Sequence, residues 1–367
     1  MGGAWRGDGA AVTAGRCDVF FLAGYEIDYH RLLGRPLVRA GLGWLVSLVA
    51  GLLVGLAVAV IVAPSGDSVL ISGVFIGICL TSTALGTIMP TLRDAREVDT
   101  LFGRAVIASG AVGQFGPLLA LAIILGGRHP LISVLCLVAF FAIVGVGLWI
   151  ASRGLPAPLQ KIISLTLHTS GQLAVRLVLG ILIALVGLSV ALGLDLLLGA
   201  FAAGALARVL LASVPAEERR PTEQKLQGIG FGFLVPIFFV QTGVTFDLRG
   251  LVAQPAALLL IPVFLLVFLI VRGIPGSATL PGNAPVSDRV AAALLTSTAL
   301  AIVVAVADTG VETGALSSVT AAALIGAGMC SVLLFPTLAL SLRRRNPVAH
   351  AETAEPLDPK PSDQNRE

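Results

Sequence analysis

Two hydroxyl runs of the same composition, Thr81-Ser82-Thr83 and Thr296-Ser297-Thr298, lie inside long apolar segments. Each is the middle of one repeated hexapeptide, Leu-Thr-Ser-Thr-Ala-Leu, at Leu80–Leu85 and Leu295–Leu300. Ser and Thr hydroxyls bond backbone groups, so such a run tolerates a local break in a membrane helix. If each run marks an unwound crossing, two helix N-termini and two C-termini face each other at the midplane. Their partial charges must then be met by side chains or ions. In the other reading both helices are whole and each hydroxyl bonds the carbonyl one turn back.

Three further polar residues sit where chemistry is possible. Gln114 lies in Val-Gly-Gln-Phe-Gly-Pro, in the middle of an apolar segment that Gly113, Gly116 and Pro117 thin. A lone amide there either bonds a neighbouring helix, worth about 1 kcal/mol, or faces a transported solute. Arg272, in Val-Arg-Gly-Ile-Pro, is either a charge stopping a span at its cytoplasmic end or a fixed cation in the bundle core. Glu26, beside Asp28 and Arg31, is either an interfacial cap or the lining of a cytoplasmic cavity. Gln241 and Thr242 form a second polar pair.

What positions these residues is a duplication. Phe20-Phe21, Gly24 and Asp28 precede the first hexapeptide, and Phe238-Phe239, Gly243 and Asp247 precede the second, with the same Gly-to-Asp spacing. Val98-Asp99-Thr100 and Val311-Glu312-Thr313 follow them in turn. Landmarks in one order twice indicate an internal repeat. A duplicated membrane domain with paired interruptions is the pattern of secondary transporters, whose interruptions mark the substrate site.

With 56% hydrophobic and 12% charged residues and a mean hydropathy of +0.96, the chain is not a soluble globule. Apolar stretches near or above the roughly 20 residues a bilayer needs fall at 40–63, 68–90, 103–125, 130–152, 173–192, 194–213, 228–245, 253–272, 288–307 and 315–342. Basic clusters at Arg31/Arg35/Arg39, Arg93/Arg96/Arg104, Arg153/Lys161, Arg219/Arg220/Lys225, Arg272/Arg289 and Arg343/Arg344/Arg345 alternate with loops that hold little beyond Arg128 and Arg249. The clusters and the C-terminus are therefore expected in the cytoplasm. The first hexapeptide segment then runs outward to inward and the second the opposite way, an inverted repeat.

The expected organisation is an irregular stretch over 1–16, a first repeat half over 17–152, and a linker with an interfacial helix over 153–172. A second half over 173–345 and a disordered tail over 346–367 follow. The stretch 1–16 is neither a span nor a signal peptide, and the first Phe-Phe landmark lacks the apolar lead-in of the second, so a truncated start is expected. The four cysteines and four histidines are scattered, which predicts no disulfide, metal or cofactor site. His-Glu-x-x-His, Gly-x-Gly-Asp and a Ser/His pairing are absent, so no enzyme is expected.

Phe-Leu-Ala-Gly-Tyr-Glu-Ile-Asp (21–28), both Thr-Ser-Thr-Ala-Leu runs, Val-Gly-Gln-Phe-Gly-Pro (112–117), Val-Pro-Ile-Phe-Phe-Val-Gln-Thr-Gly (235–243) and Val-Arg-Gly-Ile-Pro (271–275) resemble the bacterial cation:proton antiporters of the sodium/hydrogen exchanger family. The resemblance covers roughly residues 17 to 345. It implies an all-α polytopic membrane protein, an inverted-repeat bundle of about thirteen helices with two discontinuous crossing helices, here short of two N-terminal ones. It implies a homodimer in the cell membrane that exchanges a monovalent cation, Na⁺ or K⁺, for protons by alternating access. The family's ion site is a carboxylate beside the first crossing, Asp or Glu; by motif that position is Gln114, and Arg272 matches the family's basic residue near the second crossing. An amide does not titrate, so an uncoupled carrier, one using Arg272 for a neutral or anionic solute, or an inactive paralogue is the alternative expectation.

Overall fold

The computed structural model describes residues 17–25, 35–62, 68–125, 130–152, 173–212 and 216–344. Every regular element among them is helical, as a chain this apolar requires: in lipid, only a helix satisfies its own backbone within one segment. In chain order the helices are α1 (17–25), α2 (Arg35–Val62), α3 (Ser68–Leu80), α4 (Leu85–Asp94), α5 (Leu101–Leu125) and α6 (Pro130–Ser152). Next come α7 (Leu173–Ala191), α8 (Leu196–Ala212), α9 (Ala216–Ile229), α10 (Val235–Thr245), α11 (Leu248–Ala253) and α12 (Pro255–Phe268). The chain continues through α13 (Ile274–Ser277), α14 (Val286–Thr296), α15 (Ala301–Glu312) and α16 (Ser318–Arg344). Wide π turns join α9 to α10 at Gly230–Leu234 and α12 to α13 at Leu269–Gly273.

Seven helical stretches among the described residues are long and apolar enough to cross a membrane, and α7 and α8 are shorter apolar helices. The expected 228–245 segment is the first π turn with its flanking helices. The chain is an all-α polytopic membrane protein. The stretches 1–16, 153–172 and 346–367, and with them the interfacial-helix and tail expectations, lie outside the described residues. So does Glu26.

Packing divides the chain into two compact units, and each draws segments from both sequence halves. One unit takes Met1–Asp28 with Leu118–Phe246; the other takes Tyr29–Pro117 with Asp247–Glu367. In the first, α1 lies against α8 with backbones almost touching. A Cβ on Gly204 would strike the Phe21 carbonyl, and one on Gly24 the Phe201 carbonyl. Without a hydrophobic drive between helices in lipid, such small-residue contacts are what hold them together. Tyr25, at the end of α1, donates its hydroxyl to Glu223 (2.9 Å), which also pairs with Arg208 and Arg219.

In the second unit α2 packs along α3, where a Cβ on Gly77 would lie 2.9 Å from the Gly51 carbonyl. The outer face of α2 leaves Leu42, Val46, Val49 and Leu53 more than half exposed, a surface that suits lipid. Both hexapeptide segments are broken. Helix α3 stops at Leu80 and α4 starts at Leu85; α14 stops at Thr296 and α15 starts at Ala301.

The two segments run in opposite directions, and the bonds between α3 and α15 show it. Ser72, early in α3, donates to the carbonyl of Ala315 just past α15, whereas Cys79, late in α3, reaches that of Val303 early in α15. The other ends of the broken helices meet at Arg343 in the last turn of α16. Its guanidinium takes Glu97, just beyond α4, at 3.0 Å, and Asp288, in the first turn of α14, at 3.0 Å. It also stacks 3.7 Å over the Phe102 ring. The inverted repeat is thus present in the packing.

Gly204→Leu is expected to destabilise the first unit by at least about 1–3 kcal/mol, read as a lowered unfolding temperature of the purified protein in detergent. Gly187→Leu, with open space around it, should leave that temperature unchanged. Arg343→Gln leaves Asp288, 1% exposed at its side chain, as a buried charge and should cost about 3–5 kcal/mol. Adding Asp288→Asn should recover part of that loss; a double variant no more stable than the single would contradict the pairing.

Candidate ion site at the helix crossing

A helix broken inside the bundle frees donors and acceptors that have no water to turn to. At this crossing each broken segment supplies the other. The Ala84 amide donates to the Thr298 carbonyl (2.7 Å), and the Thr83 hydroxyl donates to the Thr296 carbonyl (2.6 Å), which ends α14. The Thr83 amide turns instead to the Gly113 carbonyl of α5 (3.0 Å).

The two helix N-termini are capped by neutral side chains from neighbouring helices. Leu85, the first residue of α4, donates its amide to Gln114 Oε1 at 3.0 Å. Ala299, before α15, donates to the Ser331 hydroxyl of α16 at 3.1 Å, and that hydroxyl donates on to the Gly328 carbonyl. Gln114 is buried, and its carbonyl stands where the partial positive charge of a helix start needs an oxygen.

Arg272 is wholly buried and sits in the second π turn. Its Nε donates to Thr83 Oγ1 (2.8 Å), and its Nη2 donates to the carbonyl and hydroxyl of Ser109 (2.5 and 3.0 Å). Gly113 makes room for it: a Cβ there would collide with both Nη2 and Thr83 Oγ1. Through Thr83 the guanidinium backs the C-terminal carbonyl of α14, the end of a helix where a cation is favourable. The cation-in-the-core reading of Arg272 is the one the geometry takes.

Of the predicted residues, Thr83, Gln114, Arg272, Thr296 and Thr298 come together. The other hydroxyls turn back on their own helices: Thr81 to Ile78, Ser82 to Cys79, Ser297 to Ala293; those of Thr296 and Thr298 do the same, to Ala292 and Leu294. The two sequence readings are therefore both partly realised. The helices are broken, and yet five of the six hydroxyls bond the carbonyl one turn back. Only Thr83 reaches across.

Ser109 and Ser331 complete the crossing and were not singled out from the sequence. Ser109 carried a weak signal, standing one turn before Gly113 on the helix of Gln114; Ser331 carried none. Chemically the crossing offers hydroxyl and carbonyl oxygens and one fixed cation, and the bonds described above that join it involve no carboxylate among the described residues. Such a ring can bind through dipoles but cannot exchange a proton. Among the described residues no cluster of His, Cys, Asp and Glu suits a metal ion.

The transmembrane sodium/hydrogen exchanger family profile matches residues 19–340. The putative Na(+)/H(+) antiporter YjbQ of Bacillus subtilis is 28% identical over 268 residues, 72% of this chain and 42% of that protein. The Na(+)/H(+)-K(+) antiporter GerN of Bacillus cereus is 29% identical over 242 residues, 62% of this chain and 57% of that one. The chain thus spans about half the length of the curated relatives it matches. Among solved structures, the sodium proton antiporter MjNhaP1 of Methanocaldococcus jannaschii superposes with a TM-score of 0.63, covering 90% of this chain and 85% of that one at 18% identity. That likeness is one of fold. On the match over 19–340, the chain belongs to the sodium/hydrogen exchanger family.

Proposed function

We propose that the chain is a secondary active transporter that exchanges a monovalent cation, Na⁺ or K⁺, for protons by alternating access, as a homodimer in the bacterial cell membrane with its C-terminus in the cytoplasm. The observation that carries the reading is the crossing itself. Two broken helices of opposite direction join through Ala84 and Thr298, with Gln114 at one helix start and Arg272 behind one helix end. The family, and the activities in the names of YjbQ and GerN, support it. In this reading the oxygens near Gln114 and the hydroxyl runs receive the cation, and Arg272 holds the two broken helices in register.

A second reading keeps the fold and drops the coupling: an uncoupled carrier, one of altered substrate, or an inactive paralogue. It is favoured by one observation, the amide at Gln114 where coupling needs a titrating group, with a guanidinium as the one full charge in the bonded ring. Proteoliposomes with an imposed pH gradient separate the two. The first reading expects Na⁺ or K⁺ to collapse the gradient; solute uptake indifferent to pH, with no collapse, gives the second.

Gln114→Glu tests the position directly. A full negative charge in place of a neutral oxygen attracts a bound cation by about 4 kcal/mol at roughly 4 Å in an effective dielectric of about 20, before desolvation. The concentration of cation for half-maximal exchange should therefore fall by about tenfold or more, with a new pH dependence. No change in either would show that the substrate does not sit at Gln114.

A further inference from the structure

Antiport requires a group inside the protein that takes up and gives back a proton, and the bonded ring at the crossing has none. A carboxylate of suitable setting lies in the other compact unit. Asp18 stands in the first turn of α1, between Cys17 and Val19 on a helix otherwise of Phe, Leu, Ala and Gly up to Tyr25. It is buried, at 9% exposure, and its Oδ2 has no hydrogen-bond partner among the described residues. No ion pair among those residues includes it.

The Oδ2 of Asp18 lies against Gly230, which has no side chain. A Cβ on Gly230 would lie 2.6 Å from Oδ2 and would also collide with Leu22, so the glycine is what lets the carboxyl seat there. Gly230 opens the π turn Gly230–Leu234, and such turns loosen the helix ladder and gather at functional positions. Among the described residues of this unit, the bonds described for other charged groups go elsewhere. Tyr25, Arg208, Arg219 and Glu223 form their own network seven residues along α1, about 10 Å away at a helical rise. Asp195 caps the start of α8 at Leu197. Arg220 and Lys225 lie exposed on α9, and Arg176 lies exposed on α7.

An ionised carboxylate buried without a partner is penalised by several kcal/mol, and the neutral acid by less. In the packed arrangement burial therefore favours the carboxylic acid form of Asp18. When water reaches Oδ2, the O–H bond breaks, the proton passes to water and the carboxylate remains; repacking against Gly230 reverses the step. We propose that Asp18 is a proton-exchange site of this protein, with the Gly230–Leu234 turn as the surface that covers and uncovers it. The assignment rests on the antiport reading for its purpose but not for its detection.

Infrared difference spectra of the reconstituted protein with isotope-labelled aspartate, recorded between acid and alkaline pH, test it without transport. The expected result is a carboxylic-acid C=O band at neutral pH in the wild type that Asp18→Asn abolishes and that Gly230→Ala shifts. A band unchanged in both variants overturns the proposal. Should Asp18→Asn not fold, the Gly230→Ala spectrum decides alone, an unshifted band again overturning it. In proteoliposomes, Asp18→Asn is expected to lower cation-driven proton flux at least tenfold while Na⁺ or K⁺ still stabilises the protein thermally. Wild-type flux and pH profile in that variant overturn the proposal. A wild-type protein that shows the band but no antiport leaves the proton site standing and removes the antiport reading.

Discussion

A break in a membrane helix is tolerated only where its freed backbone groups find partners inside the protein, and the architecture of this chain follows from meeting that constraint twice. The amide of Ala84 and the carbonyl of Thr298 satisfy each other, as do the Thr83 hydroxyl and the carbonyl that ends α14. Alone, each interruption would leave these groups unpaired. Each is completed by the other, which ties the repeat, the opposite direction of its halves and the position of the crossing into one requirement. The helices around it serve the same end, with Gln114 and Ser331 capping the two starts and Arg272 backing an end.

Electrostatics sets this crossing apart. Each helix end carries roughly half an elementary charge, so two starts and two ends nearly cancel, and what remains is the charge of the side chains. Here that is a guanidinium with an amide opposite. Gln114 does the structural part of a carboxylate's work, accepting the Leu85 amide, without the titrating part. The structural and proton-carrying tasks are then separable, and a buried acid with no partner, Asp18, is available for the second.

Much of this was legible in the sequence because the signals were repeated. The hexapeptide located both breaks to within a residue; the second begins one position later, at Ser297 instead of the Thr that matches Thr81. Alternating basic clusters gave the opposite directions, and the ends they mark at Arg93, Arg289 and Arg343 belong to helices that gather around the Glu97–Asp288–Arg343 cluster. What was not legible depended on one residue meeting one distant partner. A serine in an apolar helix, such as Ser331, reads as a small packing residue until the amide it caps is in place. The six hydroxyls looked alike, and only geometry singles out Thr83. Asp18 sat in a segment too short to read as a span, so its burial could not be inferred, and the division into two packing units left no mark on composition.

The account turns on the two interrupted segments touching at residues 84 and 298. The most direct test is a cysteine pair, Ala84→Cys with Thr298→Cys, in protein whose Cys17, Cys79, Cys136 and Cys330 are replaced, oxidised in the membrane and mapped by mass spectrometry of its peptides. Their backbones are bonded at 2.7 Å, within the reach of a disulfide. The account predicts a peptide linking the two positions in most of the protein. Two free, separately alkylated thiols after oxidation would contradict it.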